Sequence, residues 1–161
     1  IWTAVRANRD PNQIAGLIYG LEGLGEVVLS AALVDEVRLV VDFLAEQSKT
    51  HPARNYHRFA ILAAPIVGDR SLLAHSHHSE RADKLAAASA AELDGDFAKA
   101  ADLFTQLVDD PTFSWDYPER AALIRNLRAL KRTKDLADVC TDTLRPAVVR
   151  PALLAIRPAC H

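Results

Sequence analysis

Glycine and proline punctuation constrains this chain more than any other feature. Asp10-Pro11, Gly23-Leu24-Gly25, Pro52, Gly68-Asp69, Gly95-Asp96, Asp110-Pro111 and Pro118 cut it into pieces of roughly one helix each. Proline suits the first turn of a helix and glycine its end, so these positions read as helix starts and stops. Composition agrees: 28 Ala and 21 Leu stand against 3 Tyr, 2 Trp and no Met, with 14 Arg to 5 Lys. Residues that lose little freedom in a helix dominate.

The punctuation predicts about nine helices, no sheet and a single domain over 1–161. A first helix follows Pro11 and runs to about Leu24. Glu26 to Gln47 reads as one long helix, apolar almost all round its wheel and therefore buried and central. Further helices are expected over Ala53–Ile66, Ser71–His78, Glu80–Leu93, Phe97–Val108, Pro118–Leu130 and Lys134–Leu144. Pro146, Pro151 and Pro158 bracket a short last one. In Phe97–Val108 the residues Phe97, Ala100, Ala101, Phe104, Leu107 and Val108 fall on one face, which predicts a buried side.

The same features exclude several classes. A chain of 161 residues, 50% hydrophobic and 25% charged, supports one core without disulfide staples and is not a disordered tail. The net charge of -2 does not favour a non-specific nucleic-acid or membrane binder. The longest apolar stretch, Val27–Leu44, contains Asp35, Glu36, Arg38 and Asp42, so no membrane span is expected. Cys140 and Cys160 have no metal or redox spacing, and reduced thiols in a cytoplasm fit them best. With Ile1 first and no Met, the chain reads as a piece of a longer protein.

Paired helices with tight turns call for a search for repeats. The clearest unit spans 81–111: an Ala-rich helix, Gly95-Asp96-Phe97, then Ala100, Phe104 and Leu107, and a closing Pro111. This unit resembles a tetratricopeptide repeat, in which a glycine-acid-aromatic turn joins two helices and small residues let them approach. Gly25 then marks the turn of an upstream copy, and Arg132-Thr133-Lys134 that of a downstream copy, with Ala137 and Leu144 in register. The intervals are irregular, so the expected fold is a tetratricopeptide-like α-solenoid of irregular helix-turn-helix repeats.

Ala91–Asp102, Tyr117-Pro118-Glu119-Arg120-Ala121 and Leu127–Leu136 are together similar to the helical-repeat regions of large bacterial signalling ATPases, the LuxR-like and nucleotide-cyclase-coupled regulators of high-GC bacteria. The resemblance covers Glu80 to Leu144. It implies a cytoplasmic module of a signalling or transcriptional regulator that senses a protein, peptide or small-molecule inducer, and it brings no catalytic residue or cofactor.

Charge segregation supplies the main candidate surface. Between Glu92 and Glu119 stand eight acids and one base, Lys99. Between Arg120 and Lys134 stand six bases and no acid. Arg125, Arg128 and Arg132 fall on one helical stripe and are candidates to bind an acidic partner. No aromatic residues are interleaved for base stacking, which disfavours nucleic acid. Trp115 and Tyr117, with Phe113, alternate in a loop and could contact a ligand or cap the helix stack.

His75-Ser76-His77-His78 is the alternative. His75 and His78 share a helical face and could hold Zn²⁺ or another small ligand only with further donors. Gly20-x-x-Gly23-x-Gly25 is no phosphate-binding fingerprint, and no nucleophile elbow or calcium-loop spacing occurs. The sequence therefore points away from an enzyme.

Overall fold

In a computed structural model, residues 25–48, 56–75, 79–110, 117–144 and 151–160 are described. Among them every regular element is helical and there is no strand, so the all-α expectation holds. A helical segment over 25–30 precedes α1 (Val34–Ser48), α2 (Tyr56–Val67), a 3₁₀ helix (Arg70–His75), α3 (Glu80–Leu93) and α4 (Phe97–Val108). α5 (Tyr117–Ala129), α6 (Thr133–Leu144), the short α7 (Pro151–Ile156) and a final 3₁₀ turn (Arg157–Cys160) complete them. The helix expected after Pro11 lies outside the described residues, as do Gly16, Gly20 and Gly23.

Each element packs on its neighbour in sequence: α1 on α2, α2 on α3, α3 on α4, α4 on α5 and α5 on α6. Four of the chain reversals lie among the described residues. Each has one residue in the left-handed region, namely Ala32 (φ 51°), Gly68 (φ 72°), Gly95 (φ 77°) and Lys131 (φ 56°). In each case the next helix begins two residues later.

The hydrogen bonds are those of a Schellman cap. The Leu33 amide donates to the Val28 carbonyl at 3.1 Å, Asp96 to Ala91 at 2.9 Å, Arg132 to Leu127 at 3.0 Å and Asp69 to Ala64 at 3.0 Å. The interval between Gly68 and Gly95 is the short one. After Gly68 comes a 3₁₀ helix of 6 residues, where the other joints lead into helices of 15, 12 and 12 residues.

Buried positions repeat with the joints. Gly25, Ile61, Ala88 and Ile124 lie two turns before them, and Val28, Ala64, Ala91 and Leu127 one turn before; all are buried. After the joints, Val37 matches Ala100 and Leu136, Val41 matches Phe104 and Cys140, and Leu44 matches Leu107 and Thr143. All of these are buried except Leu136, which is partly so. Cys140 thus occupies the site that Phe104 fills in the preceding pair.

Four expectations need correction. Glu26–Gln47 is not one helix. The cap at Ala32 breaks it, and the exposure of Leu33, Val34 and Leu39, at 42–43%, shows that its apolar surface is not all buried. Gly25 is not a turn either. It is helical, the first described residue of the segment 25–30, and a Cβ there would stand 2.6 Å from the Phe59 ring, so close helix approach is its role. In the downstream copy the reversal falls on Lys131, and Ala137 is exposed. Phe97 is only half-buried; Ala100, Ala101, Phe104 and Leu107 line the core as expected.

One ion pair ties helices far apart in sequence. The Arg58 guanidinium on α2 donates from Nε to Glu119 Oε1 at 2.8 Å and from Nη2 to Oε2 at 2.6 Å, while Nη1 lies 3.5 Å from Glu26 Oε1. Side-chain exposure is 21% for Arg58 and 1% for Glu119. Burial pulls the guanidinium pKa down, and the facing Glu119 and Glu26 carboxylates more than reverse this, so it ends above the ordinary arginine value.

The last helices carry a second, smaller apolar cluster. Ala121, Ile124, Cys140 and Ile156 form it, and Cys140 is joined to Cys160 by a disulfide. This corrects the expectation of reduced thiols. Nothing in the nineteen residues between the cysteines signals that α7 folds back onto α5.

Two stability effects follow. Ala32→Gly and Lys131→Gly relieve a left-handed penalty and should each stabilise by about 0.5–1 kcal/mol, while Gly95→Ala should cost about 1 kcal/mol in urea unfolding. The opposite signs would refute this assignment of the joints. Glu119→Gln leaves Arg58 poorly compensated and should cost about 3 kcal/mol in the same measurement. A loss under about 1 kcal/mol would show the pair to be incidental.

Candidate functional site

The three arginines expected to form one stripe have different surroundings. Arg125 turns inward. Its Nε donates to Glu92 Oε1 at 3.0 Å and its Nη2 to Oε2 at 3.2 Å, a bidentate pair with side-chain exposures of 24% and 10%. It joins α5 to α3 and is taken up in packing. Arg132 stands beyond the end of α5, past the left-handed Lys131, so the helical stripe stops before it. Its Nε donates to Asp135 Oδ2 at 2.7 Å, and its Nη1 is 3.8 Å from Asp102, both at the surface. Exposed pairs of this kind hold a side chain only weakly.

Arg128 remains exposed and, among the described residues, meets no carboxylate; Lys131 is alike. Both border a cleft of about 420 Å³ at the α5–α6 joint. Leu127 and Leu136 give it apolar lining, Arg128, Lys131, Arg132 and Thr133 polar lining, and Ala159 with Cys160 complete it. The joint builds this arrangement. The Schellman reversal at Lys131 turns α6 back on α5 and leaves the lysine exposed at the joint. Cations beside apolar surface suit a ligand that carries both acidic and apolar groups.

The remaining candidates are placed as follows. Tyr117 is the first residue of α5, half-buried against the cluster of Ala121 and Ile124, so it packs rather than lies in an open loop. Trp115 and Phe113 lie outside the described residues. His75 ends the 3₁₀ helix, while His77 and His78 are outside the described residues. Among the described residues no group of three or more His, Cys, Asp and Glu is placed to hold a metal ion. None of their helices is long and apolar enough to cross a membrane.

The helix-end acids do what such residues do elsewhere. Asp96 accepts from the Lys99 amide at 3.2 Å as the N-cap of α4, and Asp110 pairs with Arg81 at 3.2 Å. Asp69 accepts from the Ser71 hydroxyl and amide, which holds its carboxyl below the usual range. Sequence reasoning missed Lys131, Ala159 and Cys160 as parts of the cleft. Lys131 belonged to the basic block, but nothing local announces that the last residues reach it.

A paired substitution separates the packed arginine from the exposed one. Arg125→Ala should lower the unfolding free energy by about 1–2 kcal/mol, since it strands Glu92, whereas Arg128→Ala should stay within about 0.5 kcal/mol. Equal effects would contradict the division of roles. Comparison of the chain with protein-family models, with curated proteins and with solved structures gives no match.

Proposed function

We propose that this protein is a non-catalytic interaction module of paired helices, and that it docks an acidic segment of a protein or peptide partner along the cleft at the α5–α6 joint. One observation carries the reading: Arg128 and Lys131 stand exposed, with no carboxylate partner among the described residues, beside the apolar wall of Leu127 and Leu136. Stacked helix pairs present such edges to extended peptides or helices. Of the three arginines, Arg128 is the recognition residue, Arg132 assists from the rim, and Arg125 supports the fold.

The resemblance of 80–144 to the tetratricopeptide-like regions of bacterial signalling ATPases supplies the setting of the proposal. The module would report the presence of its partner to a neighbouring ATPase or output domain, in the cytoplasm, where a disulfide is exposed to thiol reductants. Surface cations of this number act mainly on association rate and choice of partner.

The test is fluorescence anisotropy with a labelled peptide that alternates Glu with Leu, beside a Lys-for-Glu version. The acidic peptide should bind and the basic one should not. Arg128→Glu with Lys131→Glu should weaken binding at least about tenfold, roughly 1.4 kcal/mol, with an unchanged melting curve. No binding of the acidic peptide at millimolar concentration, or binding indifferent to the double reversal, would sink the reading. Stronger retention of duplex DNA than of the peptide at physiological salt would replace it with a nucleic-acid interface.

A further inference from the structure

Cys160, only half-buried, lines the same cleft as Arg128, Lys131 and Arg132, whereas its disulfide partner Cys140 is buried in α6 beside Ala121, Ile124 and Ile156. A thiolate arriving from solvent therefore meets the bond from the Cys160 side. Arg128 and Lys131 line that side of the cleft without a carboxylate among the described residues, and Arg132 adds a third cation paired with Asp135 and Asp102. Their field raises the local concentration of anions and stabilises an attacking thiolate. What the bond holds is also distinct from the main core: it ties the segment 151–160 to α6, and Ile156 of that segment is fully buried against α5.

We propose that the cleft is a thiol-exchange site for a small thiol of net negative charge, and that the Cys140–Cys160 bond is a latch on the C-terminal segment which such a thiol opens. The proposal shares its cations with the docking of an acidic partner but does not require that docking. The chemistry balances. The incoming thiolate forms a bond to the Cys160 sulfur, the bond to Cys140 breaks, and its electron pair leaves on Cys140, which takes a proton from water. A second thiolate then attacks the incoming sulfur, forms the disulfide of the two small thiols and releases Cys160 as a thiolate. Two small thiols are oxidised, and the protein disulfide is reduced.

Opening the latch removes the covalent tie between α6 and the wall of the cleft formed by Ala159 and Cys160. The apolar burial of Ile156 is then the main restraint on the segment, so thiol state controls how often the cleft loses that wall.

The experiment follows reduction of the oxidised protein by alkylation and mass spectrometry, with rates expressed per thiolate. Glutathione, which is anionic, is compared with neutral 2-mercaptoethanol and cationic cysteamine. At low ionic strength glutathione should be about tenfold faster than the neutral thiol and cysteamine slower, with the differences collapsing in about 1 M salt. Arg128→Gln with Lys131→Gln should abolish the preference, slowing glutathione several-fold more than 2-mercaptoethanol, whose thiolate carries one negative charge fewer, with an unchanged melting curve because both side chains are exposed. The trapped glutathione adduct should sit on Cys160, and amide exchange over 151–160 should rise on reduction.

Equal rates for the three thiols, a preference that survives the double substitution, or an adduct on Cys140 would overturn the exchange site. Unchanged amide exchange would overturn the latch. Acidic-peptide binding on the same oxidised protein is read separately, so loss of one proposal leaves the other standing.

Discussion

Each of the four reversals among the described residues depends on one residue held in the left-handed backbone region. A helix can end with its last carbonyls satisfied in only a few ways, and the Schellman cap does so by bending the chain back at once. Because the next helix starts two residues later each time, the joint also sets rotational phase. The residues one and two turns before it, and those after it, must face the neighbouring helix. Val41, Phe104 and Cys140 occupy equivalent buried sites for this reason, although nothing in their chemistry is shared.

Helix pairs joined in this way contact mainly their neighbours, so a stack of them is loose unless something crosses it. Arg58 and Glu119 provide such a crossing, with two hydrogen bonds between α2 and α5 and Glu26 held at the other side of the guanidinium. Arg125 with Glu92, and Arg81 with Asp110, tie closer helices. Bidentate geometry is what makes arginine suitable, since a partly buried carboxylate needs both oxygens satisfied. The basic block after Glu119 and the acidic block before it are therefore partly consumed within the fold. What remains at the surface, Arg128 and Lys131 above all, is smaller than the charge pattern suggests and more local.

That local remainder coincides with the last joint and with the C-terminal segment. α7 packs on α5, and the final 3₁₀ turn packs on both α5 and α6 and is fastened to α6 through Cys140. The cleft forms between that turn and the reversal at Lys131. Cations, apolar wall and a reachable disulfide sulfur meet there because three separate stretches of sequence end at one corner.

The helical class, most helix boundaries from Tyr56 onward, the turns at Gly68 and Gly95, and most of the buried face of Phe97–Val108 are legible in the order of residues alone. These follow from local rules: glycine tolerates positive φ, aspartate caps, and apolar spacing marks a face. That order did not reveal the reversals at Ala32 and Lys131, because alanine and lysine enter the left-handed region only when packing on both sides compensates the strain. It could not sort Arg125 from Arg128, since a one-turn offset on the same helix decides whether a guanidinium meets Glu92 or solvent. The pairing of Cys140 with Cys160 and the seating of Arg58 on Glu119 were likewise invisible. Spacing along a chain carries no information on which distant segments come within bonding distance. Only the stacking of the pairs, fixed by the phase of each joint, brings those atoms together.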